Sequence, residues 1–154
     1  MHQQSTSHLF MIEPVEFYAN EQTAFTNHFQ KEVCDETAGD IAEKALAEFH
    51  CLKSAIEQRG IKVTTLLGSK DCPDHIFPNW FITFDDKTMQ IFSMMAPNRR
   101  EEKKSHMIQH LTETYELTDD MSDLEDKEIF LESTSSMVFD RVNRIVYGLS
   151  LIHI

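Results

Sequence analysis

The stretch "PNWFITFDDKTMQIFSM" (residues 78–94) decides the fold prediction. It contains two runs rich in aromatic and β-forming residues, 79–84 and 88–94, separated by Asp85, Asp86 and Lys87. Two such runs joined by a short polar segment predict a β-hairpin. Pro78 has no backbone N–H to donate to a strand ladder, so it marks the beginning of the first strand.

A polar side chain stands at the start of this hairpin. Asn79 lies between Pro78 and Trp80, the only tryptophan of the chain. An amide that is backed by a rigid apolar residue can donate and accept hydrogen bonds in a fixed direction, which suits a ligand contact. The alternative is that Asn79 caps a local turn through its own backbone.

The residues before the hairpin predict a strand, a helix and a second strand. Residues 7–15 and 61–67 have strand composition, and residues 16–30 are predicted to form an ordered loop. Apolar residues spaced three and four apart predict an amphipathic helix at 37–59. The predicted stripe consists of Ile41, Ala45, Phe49, Leu52 and Ile56, and Gly60 stands where a left-handed C-cap is expected.

The residues after the hairpin predict a second helix and three more strands. The helix is expected at 98–115, with Asn98 and Glu101 as a capping box, followed by an acidic solvated loop at 117–128. Strands are expected at 128–132, 136–140 and 143–149, and the last two form a hairpin. The order β, α, β, β, β, α, β, β, β indicates an α/β fold built from a repeated supersecondary unit.

Composition limits the function classes. The 154 residues fit one domain, and the formal net charge of −12 disfavours nucleic acid and anionic membranes as partners. No apolar run approaches the roughly 20 residues that a membrane span needs, and the N-terminus lacks the order of a signal peptide. Cys34, Cys51 and Cys72 are irregularly spaced and predict free thiols in a reducing compartment, so we expect a cytoplasmic protein.

Other residues invite chemical interpretation. In "FLESTSSMVFD" (130–140) Glu132 follows an apolar run; it could hold a guanidinium through two oxygens, or it could face solvent at a strand end. Arg99 and Arg100 fall in a predicted first helical turn, where the helix dipole disfavours cations. Glu101 and Glu102 could offset this cost locally, acids elsewhere in the chain could pair with the arginines, or a ligand carboxylate could do so; we favour structural ion pairs. A metal site at His106 and His110 lacks an evident third ligand, and a solvated helix face is favoured.

Five ordered blocks carry a family resemblance. They are "MIEPVEFYANEQTAFTNHFQ" (11–30), "ALAEFHCLKSAIEQRGIKV" (45–63), "PDHIFPNWFITFDD" (73–86), "SMMAPNRREEKK" (93–104) and "FLESTSSMVFDRVNRIVYG" (130–148). Together they resemble the amidinotransferase superfamily, in its arginine-deiminase-related, citrulline-utilisation hydrolase-like branch. The resemblance covers roughly residues 5–148.

The resemblance implies a pentein fold, a five-bladed α/β-propeller of ββαβ-type units, of which this chain would form about two to three blades. Family members hydrolyse, or transfer an amidino group from, guanidino or ureido substrates such as arginine or citrulline. A cysteine attacks the guanidinium carbon, a histidine acts as acid and base, and no metal or organic cofactor is needed. By motif match, Asn79, Glu132 and Asn20 correspond to substrate-binding positions.

The chain also departs from the family pattern. One asparagine precedes the tryptophan where the family has two, and Ser133 and Ser135 replace two glycines. If that segment needs positive φ or a close backbone approach, serine would strain it. Family members are about twice as long, and the expected catalytic His and Cys are absent here.

We therefore expect residues 1–154 to form the N-terminal part of a single pentein domain, with 149–154 as a non-native tail. An open propeller exposes strand edges, so we expect the chain to be marginally stable and to associate. Whether it is an enzyme remains open. The alternative is a non-catalytic acidic α/β interaction module that binds basic partners.

Overall fold

A computed structural model describes residues 4–24 and 37–148. The fold is mixed α/β, which confirms the predicted class at that level. Its elements are β1 (His8–Glu13), α1 (Glu21–Ala24), α2 (Ala38–Glu57), β2 (Lys62–Leu67), β3 (Phe81–Thr83), β4 (Thr88–Ile91), α3 (Pro97–Arg100), α4 (Ser105–Thr112), β5 (Glu116–Asp120), a 3₁₀ helix (Ser122–Lys127), α5 (Ser133–Ser136), β6 (Met137–Asp140) and β7 (Ile145–Gly148). None of the described helices is long and apolar enough to cross a membrane.

The chain divides into two compact units. The described residues of Ser7–Pro78 form one unit, and those of Asn79–Ile154 together with Met1–Thr6 form the other. In the first unit β1 and β2 pair in parallel, from His8 opposite Lys62 to Glu13 opposite Leu67, and α2 lies between them in the chain. Parallel neighbours need such a crossover connection.

Both ends of α2 follow local sequence rules. Thr37 is the N-cap: its hydroxyl accepts from the backbone N–H of Asp40, whose carboxylate accepts from the backbone N–H of Thr37. Gly60 has φ of 79°, the left-handed conformation predicted for it. The apolar stripe is only partly covered, because Phe49 is buried whereas Leu52 is 56% exposed.

One glycine of this unit is required by a close approach. Gly68, directly after β2, donates its N–H to the carbonyl of Glu13 at 2.8 Å. A Cβ at this position would lie 2.9 Å from that same carbonyl oxygen, closer than real Cβ contacts come. A larger side chain here would push β1 and β2 apart at the end of their ladder.

The second unit contains a three-stranded sheet in the order β3–β4–β5. β3 and β4 form the predicted antiparallel hairpin, with Phe81 opposite Ile91, and β5 runs parallel to β4. The core of this unit is apolar and fully covered; it includes Trp80, Met89, Ile91, Met94 and Met107.

The predicted hairpin at the end of the described chain is also present. β6 and β7 pair antiparallel, with Val138 opposite Tyr147 and Phe139 opposite Val146. Val138 and Tyr147 are 68% and 60% exposed, so one face of the hairpin presents apolar side chains to solvent. Residues 149–154, predicted to be a non-native tail, lie outside the described residues.

The extent and the N-cap of the second predicted helix are wrong. The helix expected at 98–115 is two helices, because α3 ends at Arg100 and α4 begins at Ser105. The intervening residues 101–104 are all charged and provide no apolar stripe to continue the helix. Asn98 is not an N-cap; α3 begins after Ala96, with Pro97 in the first turn, where its missing N–H costs nothing.

The predicted acidic loop at 117–128 and the predicted strand at 128–132 are also wrong. Residues 116–120 form β5 rather than a loop, although all five are exposed, because their backbone pairs with β4. Residues 128–132 form no strand, and α5 follows them. In the first unit α1 interrupts the loop predicted at 16–30, of which residues 25–30 lie outside the described part, as does Cys34. Cys51 and Cys72 are free thiols, as predicted.

Candidate functional site

A hydrogen bond from α5 orients the side chain of Asn79. It precedes β3 and is half-buried, and its Oδ1 accepts a hydrogen bond from the Thr134 hydroxyl at 2.8 Å. Trp80, behind it, is fully buried and packs against Phe81 with ring centroids 4.6 Å apart. The amide oxygen is therefore oriented by a contact 55 residues away in the chain rather than by a local turn.

Ser133 anchors α5 to β3. Its side chain is buried, and its hydroxyl donates to the carbonyl of Phe81 at 3.0 Å. The same oxygen accepts from the backbone N–H of Thr134. Neither Ser133 nor Ser135 has positive φ, since the non-glycine residues with positive φ among those described are Asp71, Lys87, Glu128 and Arg144. The strain that positive φ would impose on these serines is therefore absent.

Glu132, at the start of α5, is a carboxylate fixed on both oxygens. Oε1 accepts from the backbone N–H of Met95 at 3.1 Å, and Oε2 accepts from the Ser135 hydroxyl at 3.2 Å. Oε2 also lies 3.6 Å from Nη1 of Arg99. The side chain remains 20% exposed, so an oriented carboxylate stays accessible from outside.

Arg99 lies between two carboxylates. Its Nε and Nη2 donate to the two oxygens of Glu102 at 2.9 and 3.2 Å. The exposed fraction is 8% for the Arg99 side chain and 1% for Glu102, so the pair is withdrawn from water. With Glu132 on its other side, Arg99 confirms the predicted structural ion pairing and offsets the cost of burying charge.

The backbone of Met94 and Met95 is held by charged groups on both sides. The N–H of Met94 donates to Oε1 of Glu125 at 2.8 Å. The Arg100 guanidinium donates to the carbonyls of Met94 and Met95, each at 3.0 Å. Lys103 bonds Glu125 through its ammonium group. This bracing fixes the N–H that holds Glu132.

Asn20 belongs to the other unit. It is 1% exposed; its Nδ2 donates to Oδ2 of Asp74 at 2.7 Å, and its Oδ1 accepts from the backbone N–H of Gln22 at 3.1 Å. The Thr23 hydroxyl donates to the same Asp74 oxygen. Asn20 thus caps α1 and is oriented by a buried carboxylate. The structure brings Asn79 and Glu132 to α5 and places Asn20 in the unit Ser7–Pro78.

The neighbourhood of Asp74 in that unit is polar and acidic. Burial raises the pKa of Tyr18, and the charges of Glu16 and Asp71 raise that pKa further. Glu16 accepts from the backbone N–H of Asp71 at 2.9 Å. The buried His75 accepts through Nδ1 from the Ser69 N–H at 3.1 Å. These bonds order the turn that carries Asp74.

Carboxylates and amides with fixed directions can orient a planar, nitrogen-rich cation through several hydrogen bonds. Within residues 4–24 and 37–148, no group of three or more His, Cys, Asp or Glu side chains could hold a metal ion. His106 and His110 both lie on α4, and His110 Nδ1 is 3.7 Å from Glu113. The fixed carboxylates and amides described above can bind and orient a polar ligand.

Sequence reasoning missed three supporting residues. In sequence Ser133 is only a departure from the family pattern, although a serine before a predicted strand can bond a neighbouring backbone. The sequence offers Glu102 only as one of two local partners for the arginines. No spacing rule links Asp74, in "CPDH" (72–75), to Asn20, 54 residues earlier.

Comparison with protein families decides the membership. Residues 13–151 match the family described as "N,N dimethylarginine dimethylhydrolase, eukaryotic". The chain belongs to this family. The dimethylarginine dimethylhydrolase family match confirms the resemblance to pentein proteins related to arginine deiminase. Comparison with curated proteins finds no match.

Several solved structures have a fold similar to that of this chain. The substrate-bound N-terminal domain of a mutant of ArgZ, an arginine dihydrolase of cyanobacteria, has a TM-score of 0.65 at 14% identity, over 92% of this chain and 48% of that chain. A variant of the same domain covalently bound to a reaction intermediate has a TM-score of 0.65 at 13% identity, over 92% and 47%.

A mutant of AgrE in complex with L-arginine has a TM-score of 0.60 at 15% identity, over 92% of this chain and 19% of that chain. At these identities the likeness shows the fold alone. The chain spans about half the length of the ArgZ N-terminal domain.

Proposed function

We propose that this chain is the N-terminal part of a guanidino-modifying hydrolase that acts on arginine-like substrates. Support comes from the family membership and from the fold shared with ArgZ, an arginine dihydrolase, and with a mutant of AgrE in complex with L-arginine. The family description adds N,N-dimethylarginine as a candidate substrate. An amidino transferase is the other reaction type on the same substrate class.

The observation that carries the proposal is the accessible, oriented carboxylate of Glu132. Met95 and Ser135 fix its two oxygens, and the side chain keeps a partly exposed surface. A guanidinium that is held by such a carboxylate presents its central carbon to a nucleophile in a defined direction. We propose Asn79, beside α5, as a second substrate contact. Asn20, a residue of the unit Ser7–Pro78, is proposed as a substrate contact on its motif match alone.

In the proposed reaction a thiolate attacks the guanidinium carbon and ammonia or an amine leaves after protonation by a histidine; water then hydrolyses the thiouronium intermediate. The cysteine and histidine would lie in sequence outside these 154 residues. The β3–β4–β5 sheet and the β6–β7 hairpin would belong to two to three blades of a five-bladed propeller, within a single domain that this chain only begins.

The test starts from the gene. The longest reading frame that contains these residues is expressed and assayed for release of ammonia from arginine or citrulline, and of dimethylamine from N,N-dimethylarginine. Glu132→Gln and Asn79→Ala should each lower kcat/KM by about 10²–10³-fold, because each removes an orienting contact that strengthens in the transition state. Asn20→Ala, measured in the same assay, tests whether Asn20 is a substrate contact.

Glu116→Gln is the control, since Glu116 is an exposed acid on β5. Its kcat/KM should equal that of the wild type. Absence of activity on every guanidino and ureido compound tried would refute the hydrolase proposal.

A second candidate function is an acidic interaction module without catalysis. It is favoured by β5, whose five residues "ELTDD" are all exposed and include three acids. A genuine stop codon after Ile154, together with salt-sensitive binding of a lysine- and arginine-rich peptide to the wild type but not to a Glu116, Asp119 and Asp120 amide variant, would support this reading.

A further inference from the structure

We propose that Glu102 is a positioning residue: by neutralising Arg99, it leaves the charge of Glu132 available to a guanidinium ligand. This inference rests on the proposed function, because it concerns the same candidate site. Glu102 is 1% exposed and would not touch the ligand itself. It acts through Arg99, which lies between Glu102 and Glu132.

The distances within this triad are unequal. Arg99 donates to both oxygens of Glu102, at 2.9 and 3.2 Å, whereas its Nη1 lies 3.6 Å from Glu132, beyond hydrogen-bond length. A guanidinium pairs best with one carboxylate through two parallel bonds. Here Glu102 has that bidentate pair, and Glu132 has only the looser contact.

The charges of the triad lead to the same conclusion. One guanidinium and two carboxylates leave one negative charge in excess, and Glu132 is the more exposed of the two acids. If Glu102 lost its charge, Arg99 would turn to Glu132 as the remaining acid and form the bidentate pair there. A ligand cation would then have to displace an internal guanidinium from Glu132.

Agmatine is the appropriate probe, because it carries the guanidinium of arginine but no carboxylate that Arg99 could bind. Its affinity for the 154-residue chain is measured by calorimetry for the wild type, Glu102→Gln and Glu101→Gln. Glu101 is the matched control: it is adjacent, and its side chain is 73% exposed in a pair with Lys104. We expect agmatine affinity to fall about tenfold or more in E102Q, because Arg99 then competes with agmatine for Glu132. In E101Q the affinity should not change.

A double variant separates positioning from a purely structural role. Arg99→Gln with Glu102→Gln removes the guanidinium that lies 3.6 Å from Glu132 together with its buried partner. Agmatine affinity should return to the wild-type value or exceed it. A structural role alone would lower affinity in both variants, so a loss in the double variant as large as in E102Q overturns the inference.

The backbone N–H of Met95 gives a readout that needs no ligand. It donates to Glu132, so its ¹H–¹⁵N chemical shift reports on that carboxylate. E102Q should shift the Met95 signal and E101Q should leave it in place; an unmoved signal in E102Q overturns the inference. If the wild type binds no agmatine, the proposed function fails in this chain, and the Met95 signal still decides whether Glu102 controls Glu132.

Discussion

Two regions of the second unit differ in which side chains they bury. The segment from Ala96 to Glu102 buries a guanidinium and a carboxylate, whereas the β6–β7 hairpin exposes Val138 and Tyr147. From residue type alone, the charged side chains would be expected at the surface and the apolar side chains in the interior. The difference shows that burial here follows the availability of partners: Arg99 and Glu102 satisfy each other, and a two-stranded hairpin leaves one face uncovered.

The largest expected effect is on the buried pair. Arg99→Ala leaves Glu102 buried without its guanidinium, which should lower the free energy of unfolding by about 3–5 kcal/mol. Urea denaturation monitored by Trp80 fluorescence measures it. Lys104→Ala is the control, because Glu101–Lys104 has the same i,i+3 spacing but is exposed, and should cost at most about 1 kcal/mol. Equal losses in both variants would show that burial makes no difference.

Ser133 gives an intermediate effect. Ser133→Ala removes the hydroxyl that bonds the Phe81 carbonyl and leaves that buried acceptor without this partner. We expect a loss of about 1–3 kcal/mol in the free energy of unfolding. Ser135→Ala, at an exposed position on the same helix, should cost less. A neutral Ser133→Ala would mean that α5 does not depend on this anchor.

The exposed hairpin face should govern association more than stability. Val138→Lys with Tyr147→Glu places opposite charges at directly paired positions and should change the free energy of unfolding by less than about 1 kcal/mol. Sedimentation velocity should show less self-association than for the wild type. Leu52→Lys, on the exposed side of α2, should leave association unchanged. Unaltered association of the hairpin variant would contradict the role of this face.

The smallest effect concerns the turn of the same hairpin. Hydrogen bonds from the Asn143 side chain and backbone N–H lower the pKa of Asp140. Because the folded pKa is below the unfolded one, the stabilisation is complete above the unfolded value near 3.8 and is lost as pH falls through the folded pKa. The stability difference between wild type and Asp140→Asn should therefore shrink below about pH 4. Urea midpoints at pH 7, 4 and 3 measure it; a constant difference would contradict it.

Local rules predicted most of the elements. The stripe of α2, its termination at Gly60 and both hairpins follow from residues near one another in sequence. β5 could not be found this way: "ELTDD" has one apolar residue, and its strand conformation is set by the parallel partner β4. Residues 128–132 look like a strand by composition but form no ladder with another described strand; the Leu131 N–H bonds Ser93 instead.

The candidate site shows the same division. Asn79 and Glu132 were singled out by residue type and context, and an ion pair for Arg99 was expected from the unfavourable position of a cation in a first helical turn. Helix spacing favours Glu102, at i,i+3 from Arg99, over Glu101, at i,i+2. The burial of the Arg99–Glu102 pair could not be derived from these spacings, because it depends on the tertiary packing around the two side chains. The Thr134–Asn79 and Ser133–Phe81 bonds join segments more than 50 residues apart, and no periodicity encodes them.

The parallel pairing of β1 with β2 has a consequence for synthesis. Each residue of β1 has its partner 54 positions later in the chain, from His8 with Lys62 to Glu13 with Leu67. At about 5–20 residues per second, a ribosome needs roughly 3–11 seconds to make that distance. During that interval the apolar residues Leu9–Ile12 have no β2 to pair with, so the backbone groups of this segment stay open to pairing with another chain.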